Sequence, residues 1–103
     1  PSISAGRVTA LEQMDLITVT PGIRAERGLG YETGALVVDI ERDLEREIDL
    51  RAGDVILQIN RQRVESAEQA AEVLRRASGN VAVYIERNGE VIVRRLLFRG
   101  PRG

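Results

Sequence analysis

The sequence predicts a mainly β domain, a partly open barrel or sandwich of five to six strands with one long helix and one or two short ones. Three observations carry this. ALVVDI (35–40) and VILQIN (55–60) are short apolar runs rich in β-branched residues and bounded by turn residues, as strands buried in a sheet are. VAVYIERNGEVIVRRLLF (81–98) holds two strand-like runs around Asn88-Gly89, a pair that tolerates positive φ at both central positions of a tight hairpin. SAEQAAEVLRRA (66–77) is the one convincing helix, with an apolar stripe of Ala67, Ala70, Ala71, Leu74 and Ala77.

Taken in order, residues 1–10 (PSISAGRVTA) are small and polar without a sustained period, and read as a linker or loosely ordered lead-in. MDLITVT, from Met14, reads as a strand. Thr20-Pro21 then gives an N-cap followed by proline at the first helical position, and Gly28-Leu29-Gly30 stops the short helix. After the strand at 35–40, Asp43 to Ile48 reads as one charged helical turn. Ser66 caps the long helix, with Gln69 placed to complete a capping box, and Gly79-Asn80 closes it. Residues 11–98 form the expected domain, and 99–103 a disordered tail.

Composition narrows the chemistry. A chain of 103 residues is one domain. It has no cysteine and no histidine, which removes disulfides, thiol chemistry and the commonest general base and metal ligand. No cofactor and no metal are expected, and the chain reads as a non-enzymatic module. Fifteen basic residues, all arginine, against sixteen acidic ones leave a net charge of −1, which argues against nucleic acid; three aromatics (Tyr31, Tyr84, Phe98) are too few to stack bases. No apolar run approaches the length that crosses a membrane, so no direct membrane insertion is expected. A chain that starts at Pro1 and trails off in Arg99-Gly100-Pro101-Arg102-Gly103 reads as a piece of a longer protein.

Acidic and glycine-bearing constellations offer little else. Glu65, Glu68 and Glu72 interleave with Arg75 and Arg76 at helical spacing, the pattern of a solvated face. Asp39, Glu41 and Asp43 lack the ordered oxygen loop and hinge glycine of a calcium site. Gly28-Leu29-Gly30 lacks the third glycine and following helix of a phosphate cradle.

The stretch DLRAGDVILQIN (49–60) turns a polar loop straight into a core strand. Gly53 is expected at positive φ and Asp54 to hydrogen-bond backbone amides inside the turn, which makes the junction architectural. In order, GALVVDI, LRAGDVILQINRQRV, SAEQAAEVLRRA and VAVYIERNGEVIVRRLLF resemble a bacterial PDZ domain of the HtrA (Do-like, Deg) serine protease type. LITVTPGIRAERGL resembles that type's first strand and inserted short helix, so the likeness runs from about Leu11 to Phe98.

The resemblance implies a PDZ-like fold and a module that binds extended peptides or protein C-termini by strand addition, regulating a protease whose catalytic domain lies elsewhere. It implies a carboxylate loop at Leu11, Glu12, Gln13 and Met14, a pairing strand at Asp15, Leu16, Ile17, Thr18 and Val19, and a helix wall of Ala67, Ala70, Ala71 and Leu74. Of Leu16 and Ile17, strand alternation sends one to the groove and one to the core. It also implies neighbouring protease or PDZ domains as partners, a monomeric isolated domain and an extracytoplasmic location. A vestigial groove used for docking, or a host such as a site-2 protease or secretion component, is the alternative. The chain departs from the family pattern at Gln13, which stands where glycine is usual, at the charged segment Asp43–Ile48, and at Arg61 after Asn60. Glu12 and Asp15 add negative charge where an anion would sit.

Overall fold

The fold follows from where the sequence can and cannot sustain a strand. The structure is a computed structural model and describes residues 6–28 and 33–98. Its order is β1 (Val8–Ala10), β2 (Met14–Thr18), α1 (Pro21–Arg27), β3 (Ala35–Ile40), α2 (Arg42–Ile48), β4 (Val55–Ile59), β5 (Gln62–Arg63), α3 (Ala67–Arg76), β6 (Gly79–Arg87) and β7 (Glu90–Phe98). The strands form one antiparallel, unclosed sheet in the order β1-β2-β3-β4-β6-β7, with β5 paired to β4. Among the described residues the mainly β fold and its three helices are as expected, with seven strands in place of five to six because β1 and β5 are too short to show a period.

Caps and turns match the residue chemistry closely. Thr20 Oγ1 accepts from the Ile23 N–H at 3.2 Å, Pro21 opens α1, and Gly28 ends it at φ 68°. Ser66 Oγ accepts from the Gln69 N–H at 3.0 Å, while the Gln69 side chain reaches back to the Glu65 N–H at 2.7 Å. Asn88 and Gly89 carry φ 54° and 82° in the β6–β7 turn. Gly79 does not cap α3; it sits at φ 70° and opens β6. Asn60 itself takes φ 54°, and its Oδ1 accepts from the Ala82 N–H at 2.9 Å, so Arg61 needs no glycine-like conformation. Residues 1–5, 29–32 and 99–103, including half of the expected lead-in, Tyr31 and the tail, lie outside the described residues.

The sheet buries both faces at its centre. Met14 and Leu16 of β2, Ala35 and Val37 of β3, Ile56 and Ile59 of β4, and Val81, Val83 and Ile85 of β6 pack with Ala67, Ala70 and Leu74 of α3. Ile17, Val19, Leu36 and Val55 form a second cluster, joined by Ile23 of α1. Sheet alternation puts that cluster on the opposite face. Alternation breaks at Val38, where the β2–β3 register slips between Asp15 and Leu16. Such a bulge bends the strand and returns Ile40 to the α3 side, opposite Met14.

The 49–54 loop is clamped as its sequence suggests. Gly53 sits at φ 100°, and its N–H donates to the Val37 carbonyl at 2.8 Å. Asp54 is 2 % exposed and accepts from the Arg51 N–H at 2.8 Å. Arg87, 33 residues away, completes its shell through Nε at 2.9 Å and Nη2 at 2.7 Å. That contact raises the Arg87 guanidinium above its ordinary range, with burial opposing the shift. A bidentate arginine fixes a buried carboxylate more rigidly than amides alone. The junction therefore locks β4 to the loop and to the β6–β7 turn.

Candidate functional site

β2 carries the site because one of its edges is left over once β3 has paired with the other. The structure fills that edge. β1 runs antiparallel to β2, with Val8 opposite Leu16, Thr9 opposite Asp15 and Ala10 opposite Met14. α3 lies more extensively over β1 than over β2. The slot between β2 and α3 is thus occupied by Val8–Ala10, and the expectation of an open edge is corrected. Likewise Val8–Ala10 is a strand where a loose lead-in was expected, and Ala10 is only 1 % exposed.

The loop expected to capture a carboxylate is a hairpin turn. Leu11 and Glu12 sit at φ 53° and 62°, and the Gln13 N–H donates to the Ala10 carbonyl at 3.2 Å. The Gln13 carbonyl in turn accepts from the Glu41 N–H at 2.9 Å. A hollow of about 240 Å³ beside this turn is lined by Glu12, Asp15, Asp39 and Glu41. Four carboxylates around one small hollow repel a further carboxylate. Asp15 is engaged by Arg7 at 3.2 Å and by the Thr9 hydroxyl at 3.1 Å.

Most of the expected side chains do converge. Leu11, Met14, Leu16, Ala67, Ala70, Ala71 and Leu74 share one cluster with Val8 and Ala10. Ile17 belongs to the second cluster, so its side chain points away and only its backbone adjoins the slot. Thr18 ties the far end shut: its Oγ1 accepts from the Ala67 N–H at 2.9 Å and donates to Glu68. Ala70 is fully buried, so a carboxylate there perturbs the fold itself and not a groove alone. On the other flank of α3 a cleft of about 440 Å³ is lined by polar residues including Asn60, Gln62, Gln69 and Glu72.

Sequence reasoning missed β1. Its only local signals were the β-branched pair Val8-Thr9 and a three-residue gap before Met14, the spacing of a hairpin. Among the described residues, no group of three or more His, Cys, Asp or Glu is placed to hold a metal ion, and no helix is long and apolar enough to cross a membrane.

Comparison with known proteins follows the same geometry. The PDZ domain family model matches residues 16–86, from within β2 to within β6. The chain is a PDZ domain. This PDZ domain is 36% identical over 89 residues to a Chlamydia muridarum protein named "Probable periplasmic serine endoprotease DegP-like", and 34% identical over 89 residues to its Chlamydia trachomatis counterpart. Each alignment covers 82% of the chain, which spans 18% of the length of these relatives. Among solved structures it superposes on the HtrA3 PDZ domain bound to a phage-derived ligand (FGRWV), with TM-score 0.71, 15% identity, and coverage of 88% of this chain and 83% of that one. It also superposes on the HtrA-type protease AlgW with a decapeptide, with TM-score 0.69, 24% identity, and coverage of 88% and 29%. These likenesses establish the PDZ-like fold.

Proposed function

We propose that this PDZ domain is the protein-recognition module of an HtrA-type serine protease outside the cytoplasm. It takes extended segments of substrate or regulatory chains by strand addition at β2, with α3 as the opposite wall. Catalysis belongs to another part of the parent. The observation that carries this reading is the seat itself. A strand in antiparallel register already lies there, its C-terminal end at the 11–13 turn, so this edge has the free pairing groups and the space that strand addition needs. Peptides accompany the HtrA3 and AlgW structures, and the curated relatives are named as periplasmic proteases.

Affinity is expected to be micromolar or weaker, since ordering an extended chain offsets much of its contact energy. Chemical-shift titration of labelled domain with a library of extended peptides tests the reading. Shifts concentrated on β2 and α3 support it; a library that moves no β2 or α3 amide defeats it.

The filled seat also favours a second reading, in which the domain docks against sibling domains in an oligomeric envelope protease. Val91, Val93 and Leu97 stand 49 %, 38 % and 78 % exposed on one side of β7, the far margin of the sheet. A long edge strand carrying exposed apolar side chains on either side of Arg95 offers a pairing surface. Mass photometry of the parent carrying Val93→Glu and Leu97→Glu checks it: dissociation supports docking, and an unchanged assembly removes it.

A further inference from the structure

The seat proposed above for a guest holds a segment of the chain itself. We infer that β1 is a displaceable resident, and that a guest enters only by exchanging with it. The inference rests on the recognition reading, and the structure gives it four supports.

β1 is lightly held. It makes three register pairs with β2, whereas β2 makes five with β3. Only Ala10 is buried; Val8 is half-buried, and Arg7 and Thr9 are exposed. Its polar ties, Arg7 and Thr9 to Asp15, lie at the surface, where water and salt weaken them. Its tether is under conformational load, because Leu11 and Glu12 both occupy the left-handed region that side chains with a Cβ avoid. Releasing β1 frees that turn and gives up its packing against α3, while the β2–β3 ladder and the contacts of α3 with β2, β3 and β4 keep the seat formed.

The resident also describes its competitor. The position of Ala10, between β2 and α3, has room for a small residue. Val8 packs against the core from the slot's other end. Arg7 meets Asp15. Because the Gln13 amide closes the turn and four carboxylates ring the adjacent hollow, the seat offers no anion site for a chain end. The guest is therefore an internal extended segment with a basic residue, a β-branched residue next to it and a small residue two further on. A free C-terminus gains nothing there.

Three measurements on the full 103-residue chain decide the matter. In native-state hydrogen exchange, amides pairing β1 with β2 are expected to exchange at least about tenfold faster than those pairing β2 with β3. Equal protection overturns the inference. The probe for binding is a fluorescein-labelled, C-terminally amidated peptide of residues 4–10, SAGRVTA. Tethered β1 competes at an effective concentration of about millimolar. Ala10→Asp, which expels β1, is thus expected to bind the probe at least about tenfold more tightly than the native chain. A Thr9→Cys/Asp15→Cys chain, whose residues face each other in the ladder, gives up the Asp15 contact with the probe's arginine in both redox states; oxidation locks β1 and should abolish the remaining binding, which reduction restores. Should Ala10→Asp unfold the domain, the oxidised and reduced forms of the lock still decide. Binding indifferent to the lock overturns the exchange. Fast β1 exchange in a folded Ala10→Asp chain that binds no probe instead overturns the recognition reading, and the guest with it.

Discussion

Arg87→Ala should destabilise the domain by about 3–5 kcal/mol, the range for removing one partner of a buried ion pair. The structure says why this side is the damaging one. Asp54 is 2 % exposed and accepts three hydrogen bonds, two of them from Arg87; truncation leaves a buried carboxylate with the Arg51 N–H alone. The reverse change is milder. In Asp54→Ala the guanidinium keeps the Asp49 carbonyl at 3.1 Å, and at 13 % side-chain exposure it stands closer to water. Removing both partners takes away the stranded charge, so Asp54→Ala/Arg87→Ala should be more stable than Arg87→Ala by itself. Against a typical total of about 5–15 kcal/mol, the single change is readily measured by urea denaturation, with an expected fall in Tm of at least about 12 °C. A double variant less stable than Arg87→Ala, with the two losses simply adding, refutes the reasoning.

Other changes separate positions that look alike. Gly34→Ala places a Cβ 2.7 Å from Val55 Cγ1 and 3.0 Å from the Ile56 carbonyl at φ 144°, and should cost about 1–3 kcal/mol by thermal melting. Ser66→Ala removes the α3 cap and should lower the urea midpoint by the equivalent of about 1 kcal/mol with m unchanged. Ala70→Glu should unfold the chain whereas Ala71→Glu, only half-buried, should keep a native far-UV spectrum; the reverse order would misplace α3. The hydrogen bond from Arg75 holds the Glu72 carboxyl below its usual range, so its contribution is present above the unfolded pKa and lost as pH falls through the folded one. Glu72→Gln should accordingly make the acid limb of the stability profile shallower.

Local chemistry is what the sequence shows most clearly. Thr20-Pro21, Ser66, Gly53 and Asn88-Gly89 each carry their conformational reason in one to four residues, and the structure uses each as read; Gln69 reaches back as expected but to the Glu65 N–H, one residue before the cap. β1 could not be read so, because three residues cannot show a period and their strand character comes from pairing with β2. Nothing in Leu11 or Glu12 advertises positive φ; the hairpin imposes it. Asp54 was recognisable as a turn acceptor, but its partner Arg87 lies in a stretch that reads as an ordinary exposed hairpin end. The groove residues were legible as types, small on the helix and alternating on the strand. Their occupant was not, since it depended on how a lead-in folds back over them.

The two-residue turn between β6 and β7 has a kinetic consequence. A nine-residue pair joined by Asn88-Gly89 requires little chain closure and makes the longest ladder in the sheet, so it can form within about 10 μs and template β4. Joining β2 to β3 and laying α3 across them is slower, because those contacts span longer loops. The contacts of the N-terminal strand with α3 form only after that. Substitutions at Val8 or Ala10 should then hasten unfolding in a chevron while hardly touching the refolding limb.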